Sequence, residues 1–173
     1  MRAGAGAHRL AGVRRRWFDA QPVEEAFFDS APFRLTEAFD IPRPAAEVWE
    51  ELTIDNPLSW CRLLRAITWT SPRPFGVGTT RTARTIGNAS VIKERFFRWE
   101  EGHRQSFYAV ESSLPGFRRF AEDYLVEPTS GTTCRFTWTI AIEPHPAARL
   151  FDSANRVALS TLFRDTRKHY GLR

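Results

Sequence analysis

From Cys134 to Ile142 the chain alternates without a break. Cys134, Phe136, Trp138, Ile140 and Ile142 fall on one side, and Arg135, Thr137 and Thr139 on the other. A period of two fits a β-strand with one buried face and excludes a helix there. The stretch FAEDYLV before it reads as an antiparallel partner, joined through the turn PTSGT. A two-residue turn at Ser130 and Gly131 sets Leu125 and Asp123 beside Phe136 and Trp138. A three-residue loop, Thr129 to Gly131, instead pairs Val126 with Cys134, Tyr124 with Phe136, Glu122 with Trp138 and Phe120 with Ile140. The second register keeps apolar pairs together on one face and is the better choice. Its consequence is a glutamate, Glu122, on the inner face.

Other segments follow the same rule. FRLTEAFDI alternates Phe33, Leu35, Glu37, Phe39 and Ile41 against polar neighbours and reads as a strand. PRPAAEVWEELT then opens a helix, with Pro44 suited to its first turn and Val48, Trp49 and Leu52 as its inner side. NPLSWCRLL reads as a second short helix. AITWTS and TTRTARTIG read as strands, and VIKERFFRWE turns through EGH into RQSFYAVESS as a hairpin. The stretch from Pro146 is helical in pattern. A strand, two short helices, a strand meander and a long last helix make an α+β plan, an antiparallel sheet with helices on one face.

Charge locates the boundaries. The formal net charge is +5, and Arg2, Arg9, Arg14, Arg15 and Arg16 supply all of it before the first acidic residue; 20 basic and 20 acidic residues remain. A balanced domain lacks the electrostatic footprint of a phosphate-backbone binder, so nucleic acid is not an expected partner. Residues 1–32 read as a basic extension and 33–173 as one domain. The extension either docks on a membrane or partner through Arg14, Arg15 and Arg16, or lays Trp17 and Phe27 onto the domain; the second reading is preferred. No export signal and no spanning segment is legible, and Cys61 and Cys134 stand far apart, so reduced thiols and a cytoplasmic location are expected.

Inward acids raise the question of what they face. Glu37 lies mid-way along an apolar face. Glu94 shares a face with Ile92 and Phe96, although Phe97 and Trp99 leave the opposite orientation open. Carboxylates are costly in a dry core, and tolerable beside a hydrated hollow or an inward arginine such as Arg81. Placement of Glu37 and Glu122 near strand ends, reaching water, is the alternative. The last helix carries Leu150, Phe151, Ala154, Val157, Ala158, Thr161 and Leu162 on one stripe, bulky at the ends and small in the middle. Small residues opposite a sheet leave either close approach or a cavity, and a cavity is favoured unless Trp60, Trp69 and Trp138 fill it.

FDIPRPAAEVWEELTIDNPLSW, PFGVGTTR and KERFFRWEEGHRQSFY together resemble the START/SRPBCC superfamily. The likeness runs from Phe33 to Tyr170 and is similar in style to its polyketide cyclase/dehydrase and lipid-transport branch. It implies a helix-grip fold, in which a curved antiparallel sheet of about seven strands wraps around the C-terminal helix, with an elongated pocket between them. It implies no single activity, because fold alone does not set function.

The histidines, His8, His103, His145 and His169, have no metal spacing, and no nucleophile motif or phosphate loop occurs, so neither metal nor cofactor is expected. The leading expectation is a hydrophobic small-molecule ligand, lipid or polyketide-like. Phe96, Phe136 and Trp138 would line the sheet side, and Phe151, Ala154 and Ala158 the helix side. Tyr124, Trp60 and Trp69 would add walls, with Glu37 and Glu122 as polar anchors and Arg81 as a further polar contact. The competing expectation is an aromatase/cyclase or dehydratase in which Glu122 moves a proton with Tyr124 beside it.

Overall fold

The computed structural model describes residues 15–146 and 152–172. In chain order the elements are β1 (Phe18–Asp19), α1 (Phe27–Ser30), β2 (Phe33–Ile41), α2 (Ala45–Thr53), β3 (Leu64–Trp69), β4 (Thr80–Thr85), β5 (Val91–Glu100), β6 (Arg104–Ser112), β7 (Phe117–Pro128), β8 (Cys134–Pro144) and α3 (Asp152–His169). Seven strands form an antiparallel path β2-β8-β7-β6-β5-β4-β3, and the two-residue β1 joins β6 at Glu111 and Ser112. The sheet curls so that residues from both its edges, Phe39 on β2 and Ile67 on β3, enter one core with α2 and α3.

Alternation places the inner face. Phe107, Tyr124, Val126, Phe136, Trp138 and Ile140 are all fully buried. Their rings interlock mostly edge to face, as in Tyr124 on Phe107 and Phe163 on Trp138, an arrangement that satisfies the ring quadrupoles. One end of the sheet is closed by indoles: the Trp49 and Trp99 Nε1 hydrogens both go to Glu101, and Trp69 stacks on Phe75.

Three sequence expectations need correction. The β7–β8 register is displaced by two residues, with Tyr124 opposite Trp138 and Glu122 opposite Ile140, because the connection spans Thr129 to Thr133. A slip of two preserves facing, so Glu122 still points inward. The segment 56–64 is a run of turns that passes into β3 at Leu64, and not a helix; Leu58 has φ 57°, a left-handed conformation that stops helical propagation. On α3 the buried stripe is Leu162, Phe163, Thr166 and Tyr170, whereas Val157 is 66% exposed. Leu150 and Phe151 lie outside the described residues, as do the side chain of Ala154 and, in the basic extension, Arg14. The N-terminal segment lies on the domain, as preferred above for Phe27: Val23, Phe27 and Phe28 cover Ala121 and Ala141 on the outer face of the sheet. Trp17 stays partly exposed beneath the Lys93 ammonium.

The second half of α3 is tied down from several directions. Asp165 accepts hydrogen bonds from the Arg62 backbone and guanidinium, at 2.9 and 2.8 Å. Trp60 donates to Thr166 and stacks on His169, and Tyr170 donates to Glu51. Towards its start, Ala158 and Leu159 are only half-buried.

Candidate functional site

A hollow of ≈ 90 Å³ remains between the sheet and α3. Leu58 and Leu63 wall it from the turn segment, Leu64 and Ile67 from β3, Ala83 from β4, and Leu159 and Leu162 from α3. Phe120, Tyr124 and Trp138 form its inner wall. Three charged side chains face into this otherwise apolar space: Arg81, Glu94 and Glu122.

Their positions follow from strand register. Arg81 on β4 stands directly opposite Glu94 on β5, and its Nε donates to Glu94 Oε2 at 2.6 Å. Neither side chain is more than 3% exposed. The guanidinium lies over the Phe107 ring, 4.0 Å from its centroid, which offers a π-face where water is excluded. Its Nη1 is buried without a partner. On β7, Glu122 Oε2 accepts from the Tyr124 hydroxyl at 2.8 Å and from the Trp138 indole at 2.9 Å. Among the described residues, Glu94 Oε1 and Glu122 Oε1 receive no hydrogen bond.

Electrostatics divide the acids into two kinds. Burial acts against the Arg81 cation, yet the facing Glu94, with Tyr124 and Glu122, outweighs it and keeps the guanidinium protonated. Burial pushes the Glu94 carboxyl upward while the adjacent guanidinium pulls it back; Glu94 is the carboxylate that balances Arg81. Glu122 is pushed up to about 7, first by burial and then by the Glu94 charge, against the pull of Arg81 and its two hydrogen-bond donors. Burial and Glu122 also raise the Tyr124 phenol, so it remains a donor. Glu122 is thus the acid of this cluster that gains and loses a proton near neutrality.

The structure thus brings together Arg81, Glu122, Tyr124 and Trp138 from the sequence expectations. It separates the others. Glu37 is ion-paired with Arg167 of α3 and does not line the hollow, because α3 delivers a cation to that strand position. Phe96 and Phe136 are core residues packed within the ring cluster. Trp60 belongs to the α3 anchor, and the Trp69 indole donates to the Ile54 carbonyl at the closed end. Ala158 is half-buried outside the lining, while the leucines of α3 are the helix residues in it. Glu94, Ile67, Ala83 and the leucines of the turn segment were not singled out as site residues; for Glu94 the shared parity with Ile92 and Phe96 was the available signal.

An antiparallel sheet gripping a C-terminal helix over a partly polar hollow defines the START-like, or SRPBCC, class. The chain belongs to the polyketide cyclase / dehydrase and lipid transport family, whose model matches residues 32–168. It is 33% identical over 159 residues to Uncharacterized protein Rv2574 of Mycobacterium tuberculosis, covering 88% of this chain and 93% of that one. The fold is similar to a START superfamily protein from Mycobacterium smegmatis, with TM-score 0.63, 9% identity and coverage of 80% and 97%. It is also similar to the major latex-like protein 151 of Panax ginseng, with TM-score 0.58, 19% identity and the same coverage. Among the described residues no helix is long and apolar enough to cross a membrane.

Proposed function

We propose that this protein binds a hydrophobic small molecule in the hollow between sheet and α3. One observation carries the reading: an apolar cavity persists in an otherwise tightly packed core, and buried charged side chains face it. Close packing is the default for interiors, so a void lined by leucines on one side and ionisable groups on the other is costly unless something occupies it. Membership of a family described by lipid transport and polyketide cyclisation supports the same reading.

Size constrains the guest. Sites for drug-sized ligands run to roughly 300–1,000 Å³, so the hollow of ≈ 90 Å³ seats only a small molecule or the head of a larger one. A lipid or polyketide would place its polar end at Glu122 and displace the weakly buried Ala158–Leu159 stretch of α3 to admit the rest. Native mass spectrometry of freshly expressed protein tests this. A co-purifying hydrophobic mass is expected from the wild type and not from Ala83→Phe, which fills the hollow. Equal retention by both would overturn the assignment of the site.

A second reading is acid–base catalysis of the cyclase or dehydratase type. It is favoured by a Glu122 carboxyl that lines the cavity, keeps one oxygen without a hydrogen bond from the described residues and is raised to about 7, where a group both gives and takes protons efficiently. Glu122→Gln keeps the shape and the two donated hydrogen bonds but cannot transfer a proton. Turnover of a polyketide-like carbonyl substrate should fall by about a hundredfold or more; unchanged turnover removes Glu122 from that role.

A further inference from the structure

The four buried carboxylates among the described residues are not treated alike. Glu94 has Arg81, Asp123 has Arg104 at 2.9 Å, and Asp165 has Arg62 at 2.8 Å. Glu122 forms no ion pair with any described residue, and it is the one held by two neutral donors, Tyr124 and Trp138. Both donors reach the same oxygen, Oε2. The other oxygen, like the second oxygen of Glu94, accepts no hydrogen bond from a described residue, and both residues line the hollow.

We propose that the hollow takes a protonated aliphatic amine, whose ammonium lies between Glu94 and Glu122 and whose hydrocarbon part packs on the surrounding leucines and Ile67. This rests on the hydrophobic-ligand reading and names its chemical class. The argument is one of charge and hydrogen-bond count. With both carboxylates ionised the cluster holds two negative charges and one positive, and an ammonium restores neutrality. An ammonium brings only donors, and once both glutamates are ionised their unused oxygens are acceptors; the Arg81 Nη1 donor, buried without a partner, is the one group of the cluster that an ammonium leaves unserved. A buried ion is tolerable where a counter-charge and hydrogen bonds replace its water, and both are already in place. An anionic guest would meet the surplus negative charge. A neutral alcohol would find the same apolar wall and leave the imbalance to be settled by a bound proton.

That last contrast gives the inference a pH signature. The groups facing Glu122 are Glu94 from β5, Arg81 from β4, Tyr124 from β7, the Trp138 indole from β8 and the Cys61 thiol from the turn segment; the described lining residues of α3, Leu159 and Leu162, carry no charge. Burial raises the Cys61 thiol to about 12, so among these only the Glu94–Glu122 pair exchanges a proton near neutrality. An entering ammonium must displace that proton.

Three probes with one carbon skeleton, isopentylamine, isopentanol and isovalerate, separate the alternatives when titrated into the full chain by calorimetry. At about pH 8 isopentylamine should bind about tenfold or more tighter than isopentanol, with isovalerate undetectable. Between about pH 6 and about pH 8 the amine affinity should rise roughly tenfold while the alcohol stays level, and amine binding near neutrality should release a proton into the buffer. In Glu122→Gln the preference for amine over alcohol should shrink towards unity. Alcohol binding as tight as the amine, with no pH slope, would overturn the amine inference and leave the hydrophobic-ligand reading standing. Binding of none of the three to wild-type protein would overturn both. Should Glu122→Gln fail to fold, the wild-type pH series and proton release decide the matter alone.

Discussion

Arg81 and Glu94 face each other across β4 and β5 as direct cross-strand partners, both within the lining of the hollow and both shut away from bulk water. Their pairing is what allows a carboxylate and a guanidinium to reside under an aromatic layer. Each needs the other more than the fold needs either.

Removing one partner should therefore be far worse than removing both. Arg81→Met alone, or Glu94→Leu alone, strands a buried charge and is expected to cost about 3–5 kcal/mol. The double variant should recover most of that loss. Chemical denaturation of the four proteins in a double-mutant cycle checks it, and additive losses would show that the pair is not coupled.

Glu122 should make the native state prefer lower pH than its other acids do. Its carboxyl is raised in the folded chain, so the native state holds a proton that the unfolded chain releases from about pH 4.5 upward. Stability from this group is fully present below that value and is lost as pH climbs towards about 7, a loss on the order of 3 kcal/mol. Glu122→Gln has no such slope. The stability difference between variant and wild type should shift in the variant's favour by a few kcal/mol between about pH 4.5 and pH 7.5. A pH-independent difference would contradict the raised carboxyl.

Phe27 anchors the N-terminal segment on the outer face of the sheet, 3% exposed against Ala121 and Ala141. Phe27→Ala should cost about 3–5 kcal/mol, the usual loss for a buried phenyl ring. Deleting residues 1–32 should lower the melting temperature further and promote association, because it bares this patch and removes the Glu25–Arg98 contact. A deletion variant that melts at the wild-type temperature would show that the segment contributes nothing to the fold.

Asp165 couples α3 to the turn segment that walls the hollow. Asp165→Asn keeps the size but loses the charge-assisted bonds from Arg62, whose guanidinium is mostly exposed and returns to water. A loss of roughly 1–3 kcal/mol is expected. Faster amide exchange at Cys61 to Leu64 should accompany it. Wild-type exchange rates there would place the anchor elsewhere.

Much of this was legible along the chain. Strict alternation assigned β2, β7 and β8 and put Glu122 inside, and the proline-led amphipathic run gave α2. The register error at β7–β8 did no damage to facing, since any even slip leaves the same side chains inward. Segment 56–64 failed because a single non-glycine residue, Leu58, takes a left-handed conformation that apolar spacing does not encode. The phase of α3 failed for a related reason: Asp165 and Thr166 are buried through Arg62, Trp60 and Cys61, so polar residues sit where a hydrophobic stripe was sought.

By itself the sequence determined that this is a half-buried antiparallel sheet with a long closing helix, and that acids lie on its inner face, because side-chain parity is a local property of an extended chain. Only the tertiary structure decided which acid received a cation. Arg167 reaches Glu37 from α3 and Arg81 reaches Glu94 from the next strand, while Glu122 receives none from the described residues, and those distances are set by how the sheet curls and where the helix lands. Charge pairing depends on separation in space, and spacing along the chain does not specify it.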